Sequence, residues 1–296
     1  MIFTTDRVQF KDGKFIVFEF YNSSKETGSF NFVKDKMLYL KDISNFDICY
    51  AISYDNNKFT VITYDNVKET KRFKNMTYAD YQMWFLKINR SSGHSKALGS
   101  AKSGIGDEYV QNILNELNNE YKFDFKNDDN GLELTMDVLS GEITTGFDFD
   151  LFETESRSII EFLKRENEYI TNLSAHPSRY LWNKQKFTSL WEAKKRVNGE
   201  LFLVNYSNES SSKDNYISII KVIDYSEKDE KIIFDIGYSI DGYKDLIKWL
   251  TLLKNDSKAA ANYLEIKPKQ VRDYAWWKDV YGDFVNNKQR IGEKYV

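Results

Sequence analysis

The chain has 296 residues, a formal net charge of −3, 41% hydrophobic residues and 16% aromatic residues. A chain of this length forms one large domain or two ordinary ones, and its aromatic side chains are enough for a substantial core. The single cysteine, Cys49, excludes an internal disulfide framework and a thiolate zinc site. No leader segment and no membrane-spanning apolar run is visible, so the sequence predicts a cytoplasmic protein with no membrane partner.

Histidine is scarce, and this limits the chemistry that the chain can perform. His94 lies in a stretch of small residues, and His176 precedes Pro177 in a predicted loop. We interpret both as ordinary surface histidines, so carboxylates and lysines are expected to carry any catalysis.

The N-terminal part is predicted to be a β-rich domain over residues 1–90. Asp12-Gly13 is a strong two-residue hairpin signal between aromatic and β-branched runs, and Asn56-Asn57 marks a second hairpin. A helix is predicted over "TYADYQMWFLKINR", where Thr77 caps the first turn and Asp80 stands at capping-box spacing. The stretch 91–103 is rich in Gly, Ser and Ala and is predicted to be a linker.

A second domain is predicted over residues 104–296. Its first elements are predicted in the order helix, three strands, helix, strand. The corresponding stretches are "GDEYVQNILNELNNEY", then "GLELTMDVLS", "GFDFDLFE" and "RSIIEFLKR", then "SRYLWNKQKFTSLWEAKKRVNG" and "ELFLVNYS". Gly199 is expected to end the second helix in a left-handed conformation.

The remaining residues are predicted to add two strands and a helical C-terminal extension. The strands lie near 215–224 and 231–239, and the helices begin at about 241, near 241–254 and 257–266. The stretch "KQVRDYAWWKDVYGDFV" is a last helical pattern. No internal repeat is evident.

Two acids share one face of a predicted strand. In "FDFDLF", side chains alternate between faces, so Phe147 and Phe149 lie on one face and Asp148 and Asp150 on the other. Strand rise places the two carboxylates roughly 7 Å apart, close enough to serve one metal site. A half-exposed strand with its acids in water is the alternative.

Glu161 stands in "SIIEFL", a nearly continuous apolar run of the kind found in strands that are covered on both faces. An unpaired, ionised carboxylate would cost several kcal/mol there. The residue is therefore expected either to bind a cation or to pair with a lysine or arginine.

The spacing of these acids and the predicted order of elements resemble the PD-(D/E)XK, or restriction-endonuclease-like, nuclease superfamily. The resemblance covers roughly residues 104 to 207 and rests on "GFDFDLFE", "IIEFLKR" and the element order. It implies a mixed α+β or α/β fold with an αβββαβ core, next to the β-rich N-terminal domain and the helical C-terminal extension.

The resemblance also implies a metal site. In that family, acids on the second and third core strands hold one or two Mg²⁺ (or Mn²⁺) ions, which stabilise charge and activate water. If the family's ligand positions are transferred to this chain, the resemblance implies that Asp148, Asp150 and Glu161 are the metal ligands. It also implies that Asp150 and Glu161 are catalytic residues. Glu108, early in the first helix, matches the position of an additional acid; a favourable acid near a helix N-terminus is the alternative.

The family's lysine usually lies two residues after the third-strand acid, where this chain has Leu163. Lys164 lies one residue further, so regular alternation turns it away from Glu161 unless a bulge re-aims it. Arg165 lies on the Glu161 face, but arginine cannot act as a base.

The following helix is another source of the cation, because Lys184, Gln185 and Lys186 lie close together in it. Lys164 and Lys184 are the candidate catalytic lysines. The remaining interpretation is that the fold survives and catalysis is lost.

The helix region 179–196 is the most basic part of the chain, with Glu192 as its only acid. Its predicted nucleic-acid contacts are Arg179, Lys184, Lys186, Lys194 and Lys195. These residues follow the proposed catalytic strand and are predicted to contact phosphates. A solvated helix face is the alternative. The aromatic pair Trp276-Trp277 is interpreted as a core or interface anchor rather than a base-stacking platform.

The sequence therefore predicts a Mg²⁺-dependent endonuclease with DNA as the favoured substrate over RNA. Its predicted biological role is in restriction, phage defence or mobile-element biology. The alternative is a catalytically impaired nucleic-acid-binding or scaffold subunit of a larger complex, for which Leu163 in the lysine position is the support. A homodimer, or a partner protein bound through the N-terminal domain, is compatible with either interpretation.

Overall fold

The computed structural model describes most of the chain in twelve stretches. These are residues 1–26, 29–55, 57–66, 68–89, 112, 115, 130–139, 144–164, 171–173, 175–177, 184–207 and 216–279. The chain divides into two compact units. Unit 1 comprises Met1–Ile159 and Glu192–Gly199, and unit 2 comprises Ile160–Trp191 and Glu200–Val296.

The fold is mixed α/β, and most of its strand pairs are antiparallel. The strands are β1 (Ile2–Lys11), β2 (Lys14–Asn22), β3 (Ile48–Tyr54), β4 (Phe59–Tyr64), β5 (Lys71–Met76), β6 (Phe147–Glu153), β7 (Ser158–Lys164), β8 (Leu201–Tyr206), β9 (Ile217–Ser226), β10 (Lys231–Ile240) and β11 (Lys269–Arg272). The helices are α1 (Phe30–Ile43), α2 (Tyr78–Asn89), α3 (Asn130–Leu139), α4 (Lys184–Val197), α5 (Gly242–Asn255) and α6 (Ser257–Glu265).

In unit 1 the strands follow the spatial order β6-β1-β2-β3-β4-β5. The predicted hairpin at Asp12-Gly13 is confirmed: β1 and β2 pair antiparallel on either side of it, and both turn residues have positive φ. β2 and β3 pair in parallel, and α1 lies between them in the chain. The core contains large apolar side chains, among them Phe18, Phe20, Ile52, Phe59, Tyr81, Phe85, Leu134 and Val138.

The start of α2 follows the predicted capping box. The Asp80 backbone amide donates to Thr77 Oγ1 at 3.2 Å, and the Thr77 amide donates to Asp80 Oδ2 at 3.3 Å. Two backbone donors at the helix start are thereby satisfied, which is why the helix begins at this point.

In unit 2 the strands follow the spatial order β7-β8-β9-β10-β11. The predicted strands and helices between 215 and 266 are confirmed by β9, β10, α5 and α6. Asp256 caps α6, since its carboxylate accepts from the amides of Lys258 and Ala259, each at 3.0 Å. Trp249 on α5 is fully buried and packs against Phe202 of β8.

One predicted core strand is wrong. The stretch "GLELTMDVLS" forms helix α3, in which Gly131, Leu134, Thr135, Val138 and Leu139 are buried at helical spacing. In the described part of the chain, two strands, β6 and β7, therefore lie between α3 and α4. The strand that pairs antiparallel with β6 is β1, from the N-terminus, so the predicted αβββαβ run is not formed in that order.

Two further predictions differ from the structure or lie outside it. Residues 269–272, predicted as helical, form β11, which pairs antiparallel with β10; helical structure begins only at residue 274. The predicted linker 91–103 lies outside the described residues. The two compact units divide between Ile159 and Ile160.

The end of α4 shows why Gly199 is needed, and the reason is not the predicted one. Asn198, with φ of 54°, takes the left-handed position. The amide of Asn198 donates to Lys195 O and that of Gly199 to Lys194 O, each at 3.2 Å, which completes a Schellman cap. A Cβ on Gly199 would lie 1.9 Å from Arg157 O, so only glycine fits.

We expect Gly199→Ala to lower the free energy of unfolding by about 1–3 kcal/mol, because the backbone around Arg157 must move. The matched control is Asn198→Gly, which keeps the cap and should change stability by less than about 1 kcal/mol. Denaturant unfolding measures both. Equal stability of Gly199→Ala and wild type would show that the close approach carries no cost.

Candidate functional site

Glu161 lies in the middle of β7, and its burial is confirmed. Residues 158–162 are all buried, which shows that both faces of the strand are covered there. The Glu161 side chain is 4% exposed. Ionised carboxylates are retained in such a place only when a cation or hydrogen-bond donors compensate the lost hydration.

Lys186, in the first turn of α4, supplies that cation through an ion pair between its Nζ and Glu161 Oε1. The Lys186 side chain is 21% exposed, so the pair has a buried end and an end that reaches solvent. Of the two alternatives for Glu161, pairing with a lysine is present in the structure. The lysine comes from the following helix, which the sequence indicated as one possible source of the cation.

The two predicted catalytic lysines are placed differently. Lys164 is exposed at the end of β7, and Leu163 before it is half-buried. Lys184 is half-buried at the first position of α4. Lys186, which the sequence assigned only to nucleic-acid contacts, is a lysine that forms an ion pair with the acid. The sequence signal that could have identified Lys186 is the short basic run at the start of α4.

The predicted alternation of β6 is confirmed. Phe147, Phe149 and Leu151 are buried, whereas Asp148 and Asp150 are half-buried. These two acids belong to unit 1, and Glu161 belongs to unit 2. Glu108 lies outside the described residues.

The described part of the chain contains no group of three or more His, Cys, Asp or Glu residues that could hold a metal ion. Mg²⁺ does not require such a cage, since it keeps several waters and is commonly bound by one or two carboxylates together with substrate phosphates. Carboxylate oxygen is also the ligand type that suits Mg²⁺ and Mn²⁺. The carboxylates of Asp148, Asp150 and Glu161 are therefore of the ligand type that suits these ions.

The basic residues of α4 are only partly available for phosphates. Lys194 is half-buried and Lys195 is exposed, whereas Arg196 donates to Asp47 Oδ2 at 2.5 Å. Burial raises the pKa of Asp47, but hydrogen bonds from the Phe15 amide and from Arg196 outweigh it and hold that pKa below its usual value. Arg179 lies outside the described residues.

The interpretation of His176 as a surface residue is wrong. The side chain is fully buried in unit 2, in a polar cluster with Asp235, Arg272 and Trp277. His176 Nε2 lies 2.6 Å from Asp235 Oδ2, and Trp277 Nε1 donates to His176 Nδ1 at 2.8 Å. Arg272 Nε donates to Asp235 Oδ1 at 2.5 Å. Trp277, 8% exposed, is the predicted core anchor.

The hydrogen bonds of this cluster fix the protonation of the imidazole. An indole N–H is a donor only, so His176 Nδ1 must carry a lone pair, and Nε2–H must donate to Asp235. The histidine is therefore neutral in this arrangement. Burial lowers the pKa of Arg272, and Asp235 opposes this change by stabilising the charged form. Sequence reasoning missed the cluster because its members lie far apart in the chain.

Comparison of the chain with known protein families, with curated proteins and with solved structures gave no match. Among the described residues, no helix is both long and apolar enough to span a membrane.

We expect Asp235→Asn to lower the free energy of unfolding by about 3–5 kcal/mol, because Arg272 is left buried without a carboxylate. Asp229→Asn, in the exposed turn after β9, is the matched control and should stay within about 0.5 kcal/mol of wild type. Thermal and denaturant unfolding measure the difference. A small loss for Asp235→Asn would show that the cluster does not stabilise unit 2.

Proposed function

We propose that the protein is a metal-dependent nuclease that hydrolyses phosphodiester bonds, and that DNA is its preferred substrate. The observation that carries the proposal is the ion pair of Glu161 and Lys186, which joins a buried acid on a strand to a partly exposed lysine on the next helix. The resemblance to the PD-(D/E)XK nucleases implies an acid and a lysine at one site. The order β6, β7, α4, β8 matches the later part of that core.

The chemistry of phosphodiester hydrolysis explains the need for both residues. A bound Mg²⁺ or Mn²⁺ supplies charge neutralisation and an activated water. Asp148, Asp150 and Glu161 are the carboxylates proposed to hold it. The Lys186 ammonium is a compact positive charge whose position is fixed by Glu161, and it stabilises negative charge as it develops on the phosphate oxygens.

The proposal reassigns the catalytic lysine from Lys164 or Lys184 to Lys186. Lys164 is exposed at a strand end, whereas Lys186 is 21% exposed and its Nζ forms the ion pair with Glu161 Oε1. A fixed and partly desolvated charge acts more strongly on a transition state than one in bulk water. Lys194 and Lys195, further along α4, are proposed phosphate contacts.

We expect metal-dependent cutting of supercoiled, linear or single-stranded DNA, or of RNA, in Mg²⁺ or Mn²⁺ and none in EDTA. Glu161→Gln, Asp150→Asn and Lys186→Met should each lower the rate by at least about 100-fold. Lys164→Met and Lys184→Met are the matched controls and should cut at close to the wild-type rate. Gel assays with folded, purified variants measure the rates.

Two results would contradict this assignment in different ways. Loss of cutting in Lys164→Met or Lys184→Met, with retention in Lys186→Met, would overturn the role of Lys186 and leave the nuclease in place. Absence of cutting with every substrate and metal would overturn the nuclease itself.

A second candidate function is nucleic-acid binding without cleavage. It is favoured by the same ion pair, because an ammonium already neutralises the Glu161 carboxylate as a structural pair does. In this case the chain retains DNA, and Glu161→Gln leaves the affinity unchanged.

Binding through α4 makes a further prediction that holds for either function. If Lys195 contacts a phosphate, Lys195→Ala should reduce the slope of log affinity against log salt concentration by about 1. Lys228→Ala, an exposed lysine in the turn between β9 and β10, is the matched control and should leave the slope unchanged. An unchanged slope for Lys195→Ala would remove α4 from the nucleic-acid interface.

A further inference from the structure

In the described residues, two parts of the chain have the same order of elements. The first runs β1, β2, α1, β3, β4, β5, α2, and the second runs β6, β7, α4, β8, β9, β10, α5. In each part the second to fifth strands are spatial neighbours in chain order. We call these parts the N-terminal repeat (residues 2–89) and the C-terminal repeat (residues 147–255).

The last helix of each repeat carries the same sequence pattern. Helix α2 reads "YADYQMW" and α5 reads "YKDLIKW", so both have Tyr, Asp and Trp at the same spacing. In both helices the aspartate accepts from a backbone amide just before the helix, three residues upstream in α2 and four residues upstream in α5. Asp80 Oδ2 accepts from the Thr77 amide and Asp245 Oδ2 from the Asp241 amide, each at 3.3 Å.

The tryptophan of this pattern also makes the same contact in both repeats. Trp84 of α2 packs edge to face on Tyr50 of β3, with ring centroids 5.3 Å apart. Trp249 of α5 packs edge to face on Phe202 of β8, with ring centroids 5.2 Å apart. β3 and β8 are the third strands of their repeats, so the equivalence holds for contacts as well as for sequence.

The N-terminal repeat has its own buried acid on the second strand and its own lysine on the helix that follows, although Lys36 is the seventh residue of α1 and Lys186 is the third residue of α4. Glu19 lies in β2 within "VFEFY", as Glu161 lies in β7 within "IIEFL". Lys36 of α1 donates to Glu19 Oε1 at 2.5 Å and to Thr4 O at 2.7 Å. The first strands carry acids too: Asp6 of β1, which accepts from the Phe20 amide, and the two acids of β6.

The two acid–lysine pairs differ in their access to solvent. The Lys36 and Glu19 side chains are 1% and 0% exposed, whereas Lys186 is 21% exposed. No hydrogen-bond donor among the described residues reaches Glu19 Oε2, although this oxygen is fully buried. An unsatisfied buried carboxylate oxygen destabilises a fold, so packing alone does not explain why a glutamate stands there.

We infer that the chain is an internal duplication in which Glu19 and Lys36 form a closed counterpart of the site at Glu161 and Lys186, so that each chain has one working centre and cuts one strand at a time. The inference rests on the proposed function for its second half, the single cut. Lys36 Nζ contacts Glu19 Oε1 and Thr4 O, so a permanent ammonium stands beside the acid, and Glu19 Oε2 is left without a donor among the described residues.

A plasmid assay tests the number of working centres. Supercoiled DNA, in excess over the full-length chain, should accumulate as nicked circles before any linear product appears. Glu161→Gln should abolish nicking, whereas Glu19→Gln should nick at the wild-type rate per folded molecule. Glu19→Gln should also lower Tm by at least about 5 °C, because Lys36 loses its buried partner.

The double variant Glu19→Leu/Lys36→Met is the control for the case in which Glu19→Gln does not fold. It replaces the closed pair by apolar side chains of similar volume, so it should fold and nick as wild type does. Direct appearance of linear DNA in the wild type, with conversion to nicking by Glu19→Gln, would show two working centres and overturn the inference. Loss of nicking in a folded double variant would overturn it as well.

Failure of the proposed function gives a separate outcome. If the wild type cuts no substrate, the nuclease proposal fails, and the closed site is judged by stability alone. Glu19→Gln must then lower Tm more than Glu161→Gln, whose lysine partner reaches solvent. An equal or smaller fall in Tm would overturn the closed site.

Discussion

A carboxylate in a strand that is covered on both faces needs a cation beside it, and this need shapes the structure around β2 and β7. In each case the helix that follows the strand supplies a lysine, Lys36 in α1 and Lys186 in α4. The ion pair favours the rotation of the helix that places its lysine against the acid. Apolar packing alone tolerates more rotations than this contact does.

Local signals predicted much of the fold. Asp12-Gly13 and the Thr77–Asp80 capping box act within a few residues, so the sequence alone specifies them. Helix α3 was missed because Leu132, Leu134 and Met136 alternate as in a strand, whereas the buried set that decides its structure is spaced by three and four. β11 was missed because its pairing with β10 is a tertiary contact that overrides a helical pattern.

The sequence predicted the strand residues of the candidate site, but it did not predict which lysine pairs with Glu161. The apolar run around Glu161 made its burial evident, but the choice among Lys164, Lys184 and Lys186 depends on how α4 is rotated against β7. His176 lacked any local signal, because its partners come from β10 and from the helical residues 274–279. The repeat was not evident because the shared residues are few and become visible only when strands and helices are aligned.

The position of β1 between β2 and β6 has a consequence for synthesis on the ribosome. β1 and β2 are made before β6 and can pair at once, but the edge of β1 that pairs with β6 stays open until residues 147–153 have been made. An open strand edge is a template for pairing with another chain. Nascent chains and N-terminal fragments that end before β6 are therefore exposed to self-association, so the last strand to join unit 1 also protects its first.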